Sequence, residues 1–275
     1  MAMRSSGPTV LTLPPFRGVT RNIIVIAVVV FLAVFALGLN SGAAVATVFH
    51  YLALSGATLL RRPWQLVTYP FLPNDLLSTL FALLSIWTFG ATLESERGSR
   101  WLTEYFLVAT AGGGLLAVLV VYVAGFGIDP RTMVTGLWPA VLAIVLAYAR
   151  FYPEQDILFI ILTMKAKYLA AIYLLVYLAL AGVGGNRFGA VTALCAALSG
   201  FLYLRFVPMR GLGYAASERF FGLRNAFYKA KRRRAAKKFT VYMKKQGKDV
   251  SLDPSGRYVD PDGNPRDPND KRWMN

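Results

Sequence analysis

Apolar and polar positions divide this chain into long hydrophobic runs joined by short polar connectors. The runs occupy residues 22–39, 76–93, 101–126, 133–151, 166–182 and 188–207. Each is long enough, or nearly so, to cross a hydrocarbon core of about 30 Å as a helix. Turn formers and charges fill the connectors: Gly38-Leu39-Asn40-Ser41-Gly42, the stretch from Glu94 to Arg100, Asp129-Pro130-Arg131, and Asn186-Arg187. The pattern predicts an all-α membrane protein with six spans over residues 22–207, a disordered cytoplasmic lead-in at 1–21 and a basic cytoplasmic tail at 208–275.

The fourth run, MVTGLWPAVLAIVLAYARF, is interrupted near its start. Pro139 lacks an N–H and suits the first turn of a helix, and Trp138 before it is biased toward extended backbone. One reading is a helix from Pro139 to Phe151, about 20 Å long at 1.5 Å per residue. It would start below the membrane surface, with Gly136-Leu137-Trp138 descending as irregular chain that protein must wall off. The other reading is a longer helix from about Thr132, kinked at Pro139. The segment alone leaves both open.

Two apolar stretches do not read as spans. Residues 43–62 mix Ala, Val and Leu with Ser, Thr, Gly and His50, which suits a helix lying at the interface above Arg61 and Arg62. Residues 157–162 run into Lys165 and Lys167, and a lysine at mid-membrane costs about 2.5–3.5 kcal/mol. They are therefore expected to tuck under the bundle as an interfacial stretch. Gly112-Gly113-Gly114 inside the third run allows close helix approach.

Composition agrees: 56% of residues are hydrophobic and the mean hydropathy is +0.47. One cysteine, Cys195, excludes an intrachain disulfide, and one histidine, His50, excludes two-histidine metal motifs. No metal or cofactor is expected. The net charge of +16 is concentrated in the tail: from Arg205 onward there are 18 Lys and Arg against 7 Asp and Glu. Loop charges predict both termini on the cytoplasmic side. Short loops and the single cysteine suggest a bacterial inner membrane.

The order and spacing of several residues resemble the rhomboid family of intramembrane serine proteases. They are Trp64, Thr68 and Phe71 before the second span, Phe89-Gly90 within it, Glu94 with Gly98-Ser99 in the next turn, and Tyr105. Lys165 to Leu169 and Ser199-Gly200-Phe201-Leu202-Tyr203-Leu204 continue the likeness. The resemblance covers roughly residues 22–206. It implies a six-helix rhomboid-like bundle with a short buried fourth helix, in which Trp64, Thr68, Glu94, Gly98, Ser99 and Gly200 are structural.

The family's chemistry needs a serine in a Gly-x-Ser-Gly turn opening span four and a histidine in span six to take its proton. It also needs oxyanion donors, some of them side chains of span two. Here the turn reads Gly136-Leu137-Trp138-Pro139, with Trp138 at the serine position. Counting from Gly200 puts the base position at Ala193, and counting from Phe89-Gly90 puts the oxyanion positions at Ser78 and Ala82. No serine lies between Met133 and Phe151 and no histidine follows His50, so Ser78, Ser85 or Ser199 would lack a base. Cys195 reads as a small buried hydrophobe. The expectation is an inactive, rhomboid-like pseudoprotease that binds transmembrane helices of client proteins. The alternatives are an active intramembrane protease and a membrane anchor working through its tail.

In the tail, Phe220, Leu223 and Phe227 have helical spacing, and Arg232-Arg233-Arg234 with Lys237-Lys238 form a basic block. An amphipathic helix over about 217–246 is expected, with anionic lipid headgroups as partners and nucleic acid a weaker use of the same charge. The Asp-Pro and Asp-Gly pairs after Asp249 favour turns or disorder.

Overall fold

A computed structural model describes residues 14–124, 127–159, 162–183, 185–207, 212–245 and 247. The chain divides into two units, residues 1–211 and 212–275. In the first unit the helices of ten or more residues are α1 (Gly18–Asn40), α2 (Gly42–Leu52), α3 (Leu76–Arg97), α4 (Ser99–Val123), α5 (Trp138–Phe151), α6 (Ala166–Val183) and α7 (Arg187–Phe206). Five of these, all except α2 and α5, are long and apolar enough to cross a membrane.

Helix α5 settles the choice left open by Pro139. It is 14 residues long and begins at Trp138, with proline in its first turn. At 1.5 Å per residue it spans about 21 Å, well short of a hydrocarbon core. From Pro139 to Tyr148 every residue except Leu146 is buried. It packs against α6 and most extensively against α7. Lipid tails are as apolar as leucine, so helices in a bilayer associate through close packing. Small residues provide it here. Ala193, Ala196, Ala197 and Gly200 of α7 are buried, as are Ala140, Ala143 and Ala147 of α5. Gly113 in α4 lies so near α7 that a Cβ there would collide with the Ala196 backbone, and one on Gly200 would meet the Tyr105 hydroxyl.

Caps fix where the spans begin. Asp75 accepts a hydrogen bond from the Ser78 N–H at 2.8 Å and opens α3. Asn186 accepts from the Gly189 N–H at 3.0 Å and opens α7. Gly98, at φ +87°, turns the chain between α3 and α4. Two spans contain one π-helical turn each, Ile86–Gly90 in α3 and Val108–Gly112 in α4. Carbonyls in the second are taken up by neighbours: the Tyr69 hydroxyl donates to Thr110 O at 3.1 Å and the Ser199 hydroxyl to Val108 O at 2.8 Å.

The fold is mostly helical, in keeping with the expected all-α membrane class, and several local expectations are corrected. Among the described residues four short strands join the helices. Strand β1 (Leu54–Ser55) pairs antiparallel with β2 (Met133–Val134), and β3 (Asp156–Phe159) with β4 (Leu162–Lys165). The interfacial helix expected over 43–62 ends at Leu52, because the chain turns there to pair Leu54 with Val134. Where an interfacial stretch tucked under the bundle was expected, residues 157–159 lie in β3 and residue 162 in β4. Alternation explains it, with Ile157 and Met164 opposed and packed against the core. The lead-in is ordered from Pro14 and helical from Gly18. Residues 1–13 and 248–275, including the Asp-Pro turns, lie outside the described residues.

The second unit contains α8 (Leu212–Lys245), which begins earlier than the spacing suggested. It is not amphipathic in the expected sense. Phe220, Leu223 and Phe227 follow one line of the helix, while Phe221, Tyr228 and Tyr242 follow a second, with basic positions on every side.

Two predictions arise from this packing. Gly113→Ala should lower unfolding stability by about 1–3 kcal/mol, because α4 and α7 must part to admit a methyl group; thermal unfolding in detergent measures it. The second concerns Glu154, which accepts from Lys165 at 2.6 Å and Lys167 at 2.5 Å. Hydrogen bonds from these two ammonium groups hold its carboxyl down at about 2. A carboxyl with a lowered folded value stabilises above its unfolded value, about 4.3, and loses that effect as pH falls toward the folded one. Glu154→Gln should therefore speed amide exchange in β3–β4 relative to the native chain at pH 5–7. The difference should vanish by about pH 2.

Candidate functional site

The site lies where the chain descends into α5. Gly136, at φ +97°, makes the last turn, and a side chain there would run into Asn74. The Gly136 N–H donates to Tyr69 O at 3.0 Å. Thr135 donates its hydroxyl to the Asn74 side-chain oxygen. The half-buried Trp138 follows. Its indole N–H donates to the Ser78 hydroxyl at 2.5 Å, and its ring stacks on Tyr173 of α6 with centroids 6.3 Å apart. Around these groups Phe71, Leu72, Asn74, Ser78, Thr79 and Ala82 line a cavity shared with Trp138 and Ala27. Its free volume is about 10 Å³, near the lower bound for one water.

Trp138, Ser78 and Ala82 thus face one space, as the sequence positions imply. Ala193 does not line that space. It is fully buried on α7 against Leu142 and Ala197, about one turn of α5 further in. Cys195 is buried beside Tyr69 and Phe188 in a separate cluster. Asn74, Thr79, Thr135 and Tyr173 are site residues that the sequence reading missed. Asn74-Asp75 before an apolar run is a helix-start signal that marks this corner. The Tyr173 stack joins residues of two helices and leaves no local trace in sequence.

The chemistry available is limited. Indole N–H is a donor only and cannot attack a carbonyl. The hydroxyls of Ser78 and Thr79 have no imidazole beside them, since His50 lies on α2 and stacks edge-on with Tyr51. Among the described residues, no three His, Cys, Asp or Glu side chains gather as they would around a metal ion.

The other motif residues hold the frame. The Glu94 carboxylate caps α1 from the far end of α3, accepting from Val19 N at 2.6 Å, Thr20 N at 2.8 Å and the Thr20 hydroxyl at 2.6 Å. Ser99 donates to the same carboxylate at 2.5 Å. A Cβ on Gly18, at φ +64°, would overlap Glu94. Trp64 donates to Tyr51 O at 3.1 Å and Thr68 to Leu52 O at 2.8 Å, tying the first loop to the end of α2. Gln65, fully buried, accepts from Thr58 at 3.0 Å.

Residues 21–234 match the family described as "Eukaryotic integral membrane protein (DUF1751)". The chain belongs to this family. It is an integral, multi-pass membrane protein of a eukaryotic family, and this overturns the expectation of a bacterial inner membrane. Short loops and one cysteine, on which that expectation rested, do not distinguish membranes. No curated protein matches the chain.

The cap yields a prediction. Glu94→Gln replaces an acceptor-only group with an amide whose NH2 must face the donors of α1. It should cost about 1–3 kcal/mol, read as a lower unfolding midpoint. Glu94→Asp, which keeps the charge, should recover part of the loss.

Proposed function

We propose that this protein is a rhomboid-like pseudoprotease that binds transmembrane helices of other membrane proteins without cleaving them. The observation that carries the reading is Trp138. At the position where the rhomboid resemblance puts the nucleophile stands an indole that is already hydrogen-bonded to Ser78 and stacked on Tyr173. The indole lines a cavity with only about 10 Å³ free, near the lower bound for a single water. A serine needs an adjacent base to become a nucleophile, and Ala193, at the counted base position, offers a methyl group. What remains is a set of membrane helices with polar groups at Asn74, Ser78 and Thr79 lining the cavity beside Trp138. Such groups suit an apolar helix carrying a polar residue, as interhelical hydrogen bonds add to packing in a bilayer. The role by analogy is quality control or trafficking of membrane proteins.

A second reading rests on α8. Its 34 residues carry eleven Lys and Arg against one Glu. Phe227 and Tyr228 are exposed along it, and the Arg224 guanidinium lies 4.7 Å over the Phe221 ring. Cations of this density attract anionic lipid at about 1 kcal/mol per charge near a surface. Exposed aromatic rings suit the headgroup region.

Photo-crosslinkers placed at Leu77 and Ile172, both exposed, should capture single-span membrane proteins in whole membranes, and the captured chains should be uncut. A fluorophosphonate probe should label no serine. Labelling abolished by one serine-to-alanine change would replace this reading with a protease. Loss of capture on removing residues 208–275 would move the binding site to the tail.

A further inference from the structure

Helix α8 is basic on every side, yet its large apolar side chains are not spread evenly. Every described side chain of α8 is exposed, and a helix draws most of its stability from packing one face on something else. At 100° per residue, its positions sort into rows with a seven-residue repeat. Phe227, Arg234 and Val241 form one row. Phe221, Tyr228 and, two repeats on, Tyr242 form a second. Between them runs a row of cations alone: Arg224, Lys231, Lys238 and Lys245. The five apolar side chains of the outer rows are all exposed, and their positions fall within about 160° of the circumference. A row drifts by only about 20° per repeat, so all three stay on one side of the helix.

Two contacts show that the rows are neighbours. The Arg224 guanidinium lies 4.7 Å over the Phe221 ring, and Phe227 meets Tyr228 edge-on with centroids 6.1 Å apart. Cations set between rings match the headgroup layer of a bilayer. The rings settle at the boundary with the acyl chains, and the long stems of Arg and Lys carry their charge out to the phosphates. The opposite side bears Lys229 and Arg233 but, among the described side chains, no large apolar one. Charge alone therefore selects no face, and the rings do. Residues 207–211 alone connect α7 to α8. Their reach is at most about 20 Å, so the bilayer nearest to hand is the one this chain spans.

We infer that α8 lies lengthwise on an anionic phospholipid surface of that bilayer, with Arg224, Lys231, Lys238 and Lys245 turned toward the headgroups and Lys229 and Arg233 toward water. This rests on the second reading above, which asks only for charge, and adds the face that carries it. A helix with its side chains is about 10–12 Å across, and the screening length at physiological salt is about 8 Å. The central row feels the surface directly, while cations on the far side stand more than one such length away.

The test uses the full chain, with Cys195→Ala, in nanodiscs of phosphatidylcholine alone or mixed with phosphatidylserine. A nitroxide label at Phe227→Cys or Tyr242→Cys reports on the ring side, and one at Ala226→Cys or Lys244→Cys on the far side. In the anionic discs the ratio of oxygen to nickel-chelate accessibility should rise about 3-fold or more on the ring side, as for a helix sunk into the headgroup boundary, and stay within about 1.5-fold on the far side. Paired charge removals then test the face, read from the Tyr242→Cys label. Arg224→Gln with Lys231→Gln should lower the docked population about 5-fold per charge. Lys229→Gln with Arg233→Gln removes the same charge and should lower it less than about 2-fold per charge. No rise at any label in anionic discs overturns this proposal and the lipid reading together. Equal rises on both sides, or equal losses from the two pairs, overturn the face alone and leave attraction by bulk charge. Exclusion of nickel from both sides by calcium-loaded calmodulin, where anionic lipid has no effect, overturns it in favour of an acidic protein that wraps the helix.

Discussion

Backbone polar groups at membrane depth must find partners within the protein, and that constraint organises this structure. A 14-residue α5 cannot reach from one surface to the other, so the chain before it has to come down through the bundle without helical hydrogen bonds. Several groups on the way down are matched, by backbone or by side chain. Met133 and Val134 pair with Ser55 and Leu54, the Gly136 N–H finds Tyr69 O, and Thr135 meets Asn74. The loop between α2 and α3 is there to be met. Trp64, Gln65 and Thr68 fasten it to the end of α2, which fixes the backbone that receives the descending segment. The two-residue strands are the means by which an irregular passage is tolerated in a place without water.

The same economy of space governs the packing. Alanine and glycine on α4, α5 and α7 bring backbones close, and the larger rings sit where those surfaces end. Trp101 stacks on Tyr105 at 5.1 Å and meets Tyr203 and Phe151 edge-on. Arg97 lies 3.9 Å over the Phe151 ring. Aromatic rings and cations at helix ends are what a membrane–water boundary selects.

Much of this was legible in the sequence because hydropathy reports spans directly. The boundaries of α3, α6 and α7 fall within a few residues of their apolar runs. Pro139 announced the short helix, and the motif spacing brought Ser78, Ala82 and Trp138 to one cavity. What was not legible depends on contacts between distant segments. The hairpin at Asp156–Lys165 reads as a plain apolar stretch until its two halves face each other. The lead-in looked structureless because its partners, Trp87 and Glu94, lie more than seventy residues later. Ala193 was placed by counting along α7, but counting gives no depth, and it packs a turn away from the indole. The tail spacing matched a helix yet not a single apolar face, since residues 3–4 apart satisfy that pattern on either of two lines.

The cap on α1 bears on how the protein is made. The first turn of the first span is completed by a carboxylate that the ribosome adds 75 residues after Val19. Until the second span and the turn at Gly98 have emerged, the N–H groups of Val19 and Thr20 lack Glu94. This end of α1 is therefore finished only after α3 has been made, by a residue from the other arm of a hairpin of spans. A nascent chain stalled before Glu94 would hold its first span in place with its entrance still unsealed.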